Sequence, residues 1–132
     1  MERIEDIGFG GLKLIQRPEA FCYGVDAVIL ADFACSVYPC FRKCIDLGTG
    51  TGIIPILMTA KTEGDSFTAL EIQEDSADMA RRSVILNQLN EKVQIVTGDI
   101  KDASKIFGAS SFHVITTNPP YMIGTHGENS PS

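Results

Sequence analysis

The chain has 132 residues, 44% apolar and 21% charged, with a net charge of −6. That is one domain's worth of ordinary globular sequence, long enough to bury a core, and its acidic balance supplies no electrostatic footprint for a phosphate backbone. No apolar run approaches the length of a bilayer crossing, and Met1-Glu2-Arg3-Ile4-Glu5-Asp6 lacks a basic region followed by an apolar core, so no membrane partner and a cytoplasmic location are expected. Cys22, Cys35, Cys40 and Cys44 form no C-x-x-C pair, and His113 and His126 lie far from them in sequence. Reduced, mostly buried thiols and no metal site are therefore expected.

Residues 1 to 17 place Ile4, Ile7, Phe9, Leu12, Leu14 and Ile15 around Gly10-Gly11, a pattern that predicts a small β-hairpin. After Pro18, a helix is predicted from Ala27 to Val37 with Asp26 as its N-cap, and Val25, Val28, Ile29, Asp32, Phe33 and Ser36 recur on one face. The first core strand is Lys43 to Leu47, followed by Gly48-Thr49-Gly50-Thr51-Gly52 and a helix from Ile53 to Thr62 with Pro55 in its first turn. A second strand ends Phe67-Thr68-Ala69-Leu70-Glu71-Ile72. A helix over 74 to 89 follows, offering Ala77, Ala80, Val84, Leu86 and Leu89 for one face with Arg81-Arg82 on the other. Val93 to Thr97 is a third strand, 101 to 107 a short helix, and Phe112 to Thr117 a fourth strand. Strands alternating with helices predict a Rossmann-like, doubly wound α/β fold with a mainly parallel sheet. One domain is expected over 1–132: a hairpin and helix in 1–42, the core in 43–121, and a loop or disordered tail in 122–132.

In such a sheet ligands bind at the carboxyl ends of the strands, where strand order reverses. Glycines at alternate positions 48, 50 and 52 admit positive φ and let a ligand approach main chain, while the following helix aims its amide dipoles at the same place. The spacing D-x-G-x-G-x-G differs from the dinucleotide G-x-G-x-x-G, which argues against NAD or FAD, though a generic nucleotide-binding or purely structural turn stays open. Asp46 is placed to brace the loop and the ligand's amino group. Glu71, 19 residues after Gly52, is placed to accept from two ribose hydroxyls, or else to serve as a strand-end cap. The Asp99 carboxylate can accept from an adenine amino group, with Ile100 offering its N–H to the ring, or Asp99 can simply cap a turn. Asn118-Pro119-Pro120-Tyr121 has the chemistry to hold a planar amine. The Asn118 side-chain oxygen and the Pro119 carbonyl would accept its two N–H bonds, the prolines stiffen the loop, and the Tyr121 ring stacks on a flat substrate. The alternative is a Pro-Pro turn leaving a strand.

Asp46-Leu47-Gly48-Thr49-Gly50-Thr51-Gly52, Leu70-Glu71-Ile72, Gly98-Asp99-Ile100 and Asn118-Pro119-Pro120-Tyr121 together resemble the class I S-adenosylmethionine (SAM)-dependent amino-methyltransferases. Upstream, Gly10 to Gln16 and Phe21 to Ala31 look like the opening of the tRNA adenine-N6 methyltransferases acting on valine tRNA. The resemblance implies SAM as cofactor, S-adenosylhomocysteine as product, and transfer to adenine N6 in tRNA or another adenine-containing RNA. It implies cofactor contacts at Tyr23, Gly24, Asp26, Asp46, Gly48, Thr49, Gly50, Gly52, Glu71, Ile72, Asp99, Ile100 and Asn118, and catalysis by Asn118, Pro119, Pro120 and Tyr121. Release-factor glutamine methyltransferases share the N-P-P-Y motif and form the alternative, as does a SAM-binding fragment without turnover. Family members carry about three further strands after N-P-P-Y, where this chain has 11 residues left. The expectation is a truncated domain whose fourth strand lies at an open sheet edge, inviting self-association.

Overall fold

The computed structural model describes residues 1–8, 10–17, 25–37, 43–62, 66–108 and 112–117. Strands β1 (Arg3–Asp6) and β2 (Lys13–Gln16) form an antiparallel hairpin, with Gly10 and Gly11 at positive φ in its turn. Then come α1 (Val25–Val37), β3 (Lys43–Leu47), α2 (Ile53–Lys61), β4 (Ser66–Glu71) and α3 (Glu74–Leu86). They are followed by β5 (Val93–Thr97), a 3-10 turn (Ile100–Asp102), α4 (Ala103–Phe107) and β6 (Val114–Thr117).

The four later strands make a parallel sheet in the order β5-β4-β3-β6. The chain steps outward from β3 to β4 to β5, then crosses back to the far side of β3. Right-handed crossovers put α2 and α3 on one face and α4 on the other. The first face holds the core: Cys44, Phe67, Ala69, Val93, Ile95 and Val114 from the sheet meet Ile53, Ile56, Leu57, Ala77, Ala80 and Val84 from the helices. α2 is buried from Ile53 through Met58 because it lies between the sheet and α1. Pro55 sits in its first turn, where the missing N–H costs no helical bond.

Several boundaries and faces differ from the sequence-based expectation. α1 begins at Val25, so Asp26 lies inside its first turn, where the carboxylate still meets the positive dipole end, and is not the cap. Its buried residues are Ala27, Ala31, Ala34 and Cys35, while Ile29 and Phe33 are 61% and 62% exposed. Close packing on α2 selects the small side chains over the apolar stripe. α2 ends at Lys61 and β4 at Glu71, which leaves Ile72 exposed just beyond the strand.

α3 stops at Leu86 because Gln88 takes φ +60. The Gln88 N–H then bonds Ile85 O at 3.0 Å and the Leu89 N–H bonds Val84 O at 2.9 Å, a Schellman termination without its usual glycine. Leu89 folds back onto the core, while Met79 and Ser83 are buried in place of the exposed Leu86. β6 starts at Val114, and Phe112 leaves the ladder to pack edge-on against Phe107, with ring centroids 5.5 Å apart. Gly64, Cys22 and Cys40 lie outside the described residues, whereas Cys35 and Cys44 are buried free thiols.

The hairpin is fastened to α3 by side chains. Asn87 accepts from the Lys13 N–H at 2.8 Å and donates to Lys13 O at 2.7 Å, and Ser83 Oγ accepts from the Ile15 N–H at 2.8 Å. Arg82 adds an ion pair to Glu2, just before β1, and is itself held by Asp78 one turn back on α3. Among the described residues no helix is long and apolar enough to cross a membrane.

Candidate active site

The strand order reverses between β3 and β6, and the glycine turn leaves β3 at that point. Gly48, Gly50 and Gly52 have φ of +72, +62 and +94. The turn is anchored on β4, since the Gly48 and Thr49 amides both donate to Leu70 O, at 2.8 and 3.0 Å. It closes with the Gly52 N–H on Thr49 O at 3.1 Å, and α2 opens directly after it. A Cβ at Gly52 would stand 3.2 Å from the Ala80 Cβ, so this glycine lets α3 approach the turn. A Cβ at Gly50 would meet nothing within 4 Å, so there the main chain borders open space.

Glu71 closes the second side. Its Oε1 accepts from the Gly50 N–H at 2.7 Å and its Oε2 from the Gln73 N–H at 3.0 Å, so the carboxylate holds the glycine turn while each oxygen keeps a further lone pair. The strand-end cap and the ligand acceptor are thus compatible roles for one group. Asp99 Oδ1 accepts from the Lys101 N–H at 3.0 Å and caps the 3-10 turn, which leaves Oδ2 for a ligand. That turn carries Ile100 over the glycines, its Cδ1 3.7 Å from where a Gly48 Cβ would stand. Ile72 and Ile100 are both exposed beside the two acids, as a flat apolar group would require.

Asp46 is the most buried acid of the site, 1% exposed. Thr116, opposite it in the β3–β6 register, donates its hydroxyl to Asp46 Oδ1 at 2.6 Å. Asp46 Oδ2 and Thr49 Oγ1 are both buried and make no hydrogen bond of good geometry, but the Thr49 hydroxyl acts on the Asp46 carboxylate as a second donor beside Thr116. Burial pushes the Asp46 carboxyl up to about 6, the Thr116 and Thr49 hydroxyls working against the rise and the negative charge of Glu71 adding to it. Two carboxylates converging on a turn of amides, with open space at Gly50, suit a ligand that brings positive charge and vicinal hydroxyls.

The structure thus brings Asp46, Gly48, Thr49, Gly50, Gly52, Glu71, Asp99 and Ile100 together. Asp26 is exposed on α1 and takes no part in the bonds that build the turn. Tyr23, Gly24, Asn118, Pro119, Pro120 and Tyr121 lie outside the described residues. Sequence reasoning passed over Thr116, whose signal is a hydroxyl at a buried strand position facing an acid across the register, and over the clamp that Glu71 forms with Gly50.

A parallel sheet in this order, with the glycine turn at its switch point and a preceding hairpin, is the Rossmann-like fold of the class I methyltransferases. The METTL16 MTase domain has that fold: the two match with a TM-score of 0.70 at 23% identity, over 84% of this chain and 47% of that one. The chain belongs to the methyltransferase small domain family, which matches residues 12–130. It is 30% identical over 83 residues to a Porphyromonas gingivalis protein named tRNA1(Val) (adenine(37)-N6)-methyltransferase, a match covering 61% of this chain and 32% of that protein. It is also 32% identical over 79 residues to a release factor glutamine methyltransferase of Chlorobaculum tepidum, covering 59% of this chain and 27% of that protein. The chain therefore spans about a third of the length of these curated relatives.

The family is one of SAM-dependent enzymes, and the residues present fit that cofactor. Glu71 retains lone pairs for two hydroxyls, Asp99 keeps Oδ2 clear of the turn it caps, and Gly50 leaves room for a ligand against main chain.

Proposed function

We propose that this chain is the cofactor-binding part of a SAM-dependent N-methyltransferase acting on the exocyclic amine of adenine in tRNA. The observation that carries the cofactor reading is the glycine turn with open space at Gly50, clamped by the Glu71 carboxylate and backed by the buried Asp46. In this reading Asp46 accepts from the cofactor's ammonium group, Glu71 from its ribose hydroxyls, and Asp99 with Ile100 holds its adenine. SAM supplies a methyl group activated on a sulfonium centre.

The chemical step is assigned to the N-P-P-Y segment that follows β6. Asn118 and Pro119 accept the two N–H bonds of the substrate amine, drawing nitrogen out of conjugation so that its lone pair can attack, and Tyr121 stacks the base. The name of the Porphyromonas gingivalis relative supports an adenine in tRNA as the acceptor. An amide nitrogen poses the same geometric problem, and the Chlorobaculum tepidum relative keeps a release-factor glutamine as the second acceptor.

Isothermal titration with SAM, against ATP and NAD, tests the cofactor. Micromolar binding of SAM alone is expected, and equal or absent binding would overturn the assignment. Methyl-labelled SAM offered with bulk tRNA or release factor tests the acceptor, and label in tRNA is expected. Label only in release factor would support the second acceptor. SAM binding without transfer to either would leave a cofactor-binding module.

A further inference from the structure

β6 does more than carry the chain towards N-P-P-Y. It is a four-residue strand whose end is pinned to β3 by two hydroxyls: Thr117 Oγ1 donates to Leu47 O at 3.2 Å, and Thr116 Oγ1 donates to Asp46 Oδ1 at 2.6 Å. Thr116 is 4% exposed and Asp46 1%, so water competes little for this bond. With Oδ1 taken by Thr116, Oδ2 is the oxygen without a well-formed bond; it is buried, and the Thr49 hydroxyl of the glycine turn also acts on the carboxylate. A carboxylate on a short side chain has two rotatable bonds, and a buried donor on one oxygen selects its rotamer.

We propose that Thr116 is a positioning residue for the cofactor: its hydroxyl holds the Asp46 carboxylate in one rotamer at the glycine turn, with its negative charge directed at the cofactor's ammonium group. This rests on the SAM reading above. The same bond joins the cofactor turn to the strand that leads, two residues on, to Asn118, so the ends of β3 and β6 move as one piece. The titratable group acting on Asp46 is Glu71, at the end of β4, and Asp46 in turn acts on Cys44 of β3. Burial lifts the Cys44 thiol to about 12, so it stays neutral across the working range and only Glu71 adds charge.

The test is SAM titration of the full chain between pH 5 and pH 8 with Thr116→Val and Thr116→Ser. Unaltered protein should bind more weakly as pH falls through about 6, where Asp46 takes up a proton. Thr116→Val keeps the shape but removes the donor, so affinity at pH 8 should fall roughly tenfold, and the pH midpoint should move upward. Thr116→Ser should restore both. If Thr116→Val lowers only the melting temperature, with dissociation constant and midpoint unchanged, the hydroxyl is structural and the proposal fails. If the unaltered chain ignores SAM, the cofactor reading fails first, and that result is distinct. Carbon-13 NMR of the Asp46 carboxyl in the unaltered chain provides a measurement free of folding defects. Saturating SAM should lower its midpoint, and an unmoved midpoint would overturn the proposal.

Discussion

Burial lifts the Asp46 carboxyl from 3.8 to about 6, so the folded chain holds this proton more tightly than the unfolded chain does. The sign follows from linkage. The contribution to stability is fully present below pH 3.8 and is lost as pH rises through about 6, a loss of roughly 3 kcal/mol by neutral pH. Asp46→Asn should therefore raise the melting temperature of the ligand-free chain at pH 8 while weakening SAM binding at least tenfold. A calorimetric scan and a titration on the same sample check both halves, and a variant that lost stability without losing affinity would contradict the assignment. The place of Asp46 at the end of β3, just before the three glycines, was legible in sequence. Its partner Thr116 was not, since 70 residues separate them and only the parallel register puts them face to face.

At the scale of elements, periodicity located every core strand to within two residues, because each alternates or runs apolar between turn residues. It misplaced the face of α1, where the apolar residues Ile29 and Phe33 are exposed and alanines form the contact. Binary patterning cannot see that a close helix–helix approach favours small side chains. It also carried α3 too far, because Gln88 gives no composition signal for a left-handed terminus. Gln88→Gly should accordingly stabilise the chain by about 0.5–1 kcal/mol in urea denaturation, glycine adopting φ +60 without the Cβ penalty. Gly52→Ala should have the opposite sign and cost about 2 kcal/mol or more, because it meets both a positive φ of +94 and the Ala80 Cβ at 3.2 Å.

For the molecule as a whole, the reversal of strand order that creates the cleft also leaves β6 at the edge of the described sheet, with Ile115 63% exposed. Among the described residues no strand pairs with the outer side of β6, and an edge of that kind with an apolar side chain is a template for another strand. Sedimentation at rising concentration should show association, and Ile115→Lys should suppress it. A monodisperse monomer in the unaltered chain at high concentration would refute this. The fold class was legible from alternation and from the motifs at successive strand ends. Docking of the hairpin was not, because it depends on the side chains of Ser83, Arg82 and Asn87 on the turns of a distant helix.

That docking also sets an order of events during synthesis. The amides of Lys13 and Ile15 find their acceptors 74 and 68 residues further along the chain. At ribosomal speeds of 5–20 residues per second, the first strands made wait roughly 4 to 15 seconds for the helix that receives them. A two-stranded hairpin is marginal in water on its own. Through that interval the nascent chain carries Leu14 and Ile15 without the helix that buries them, so the hairpin is open to a chaperone or protease until α3 has been made.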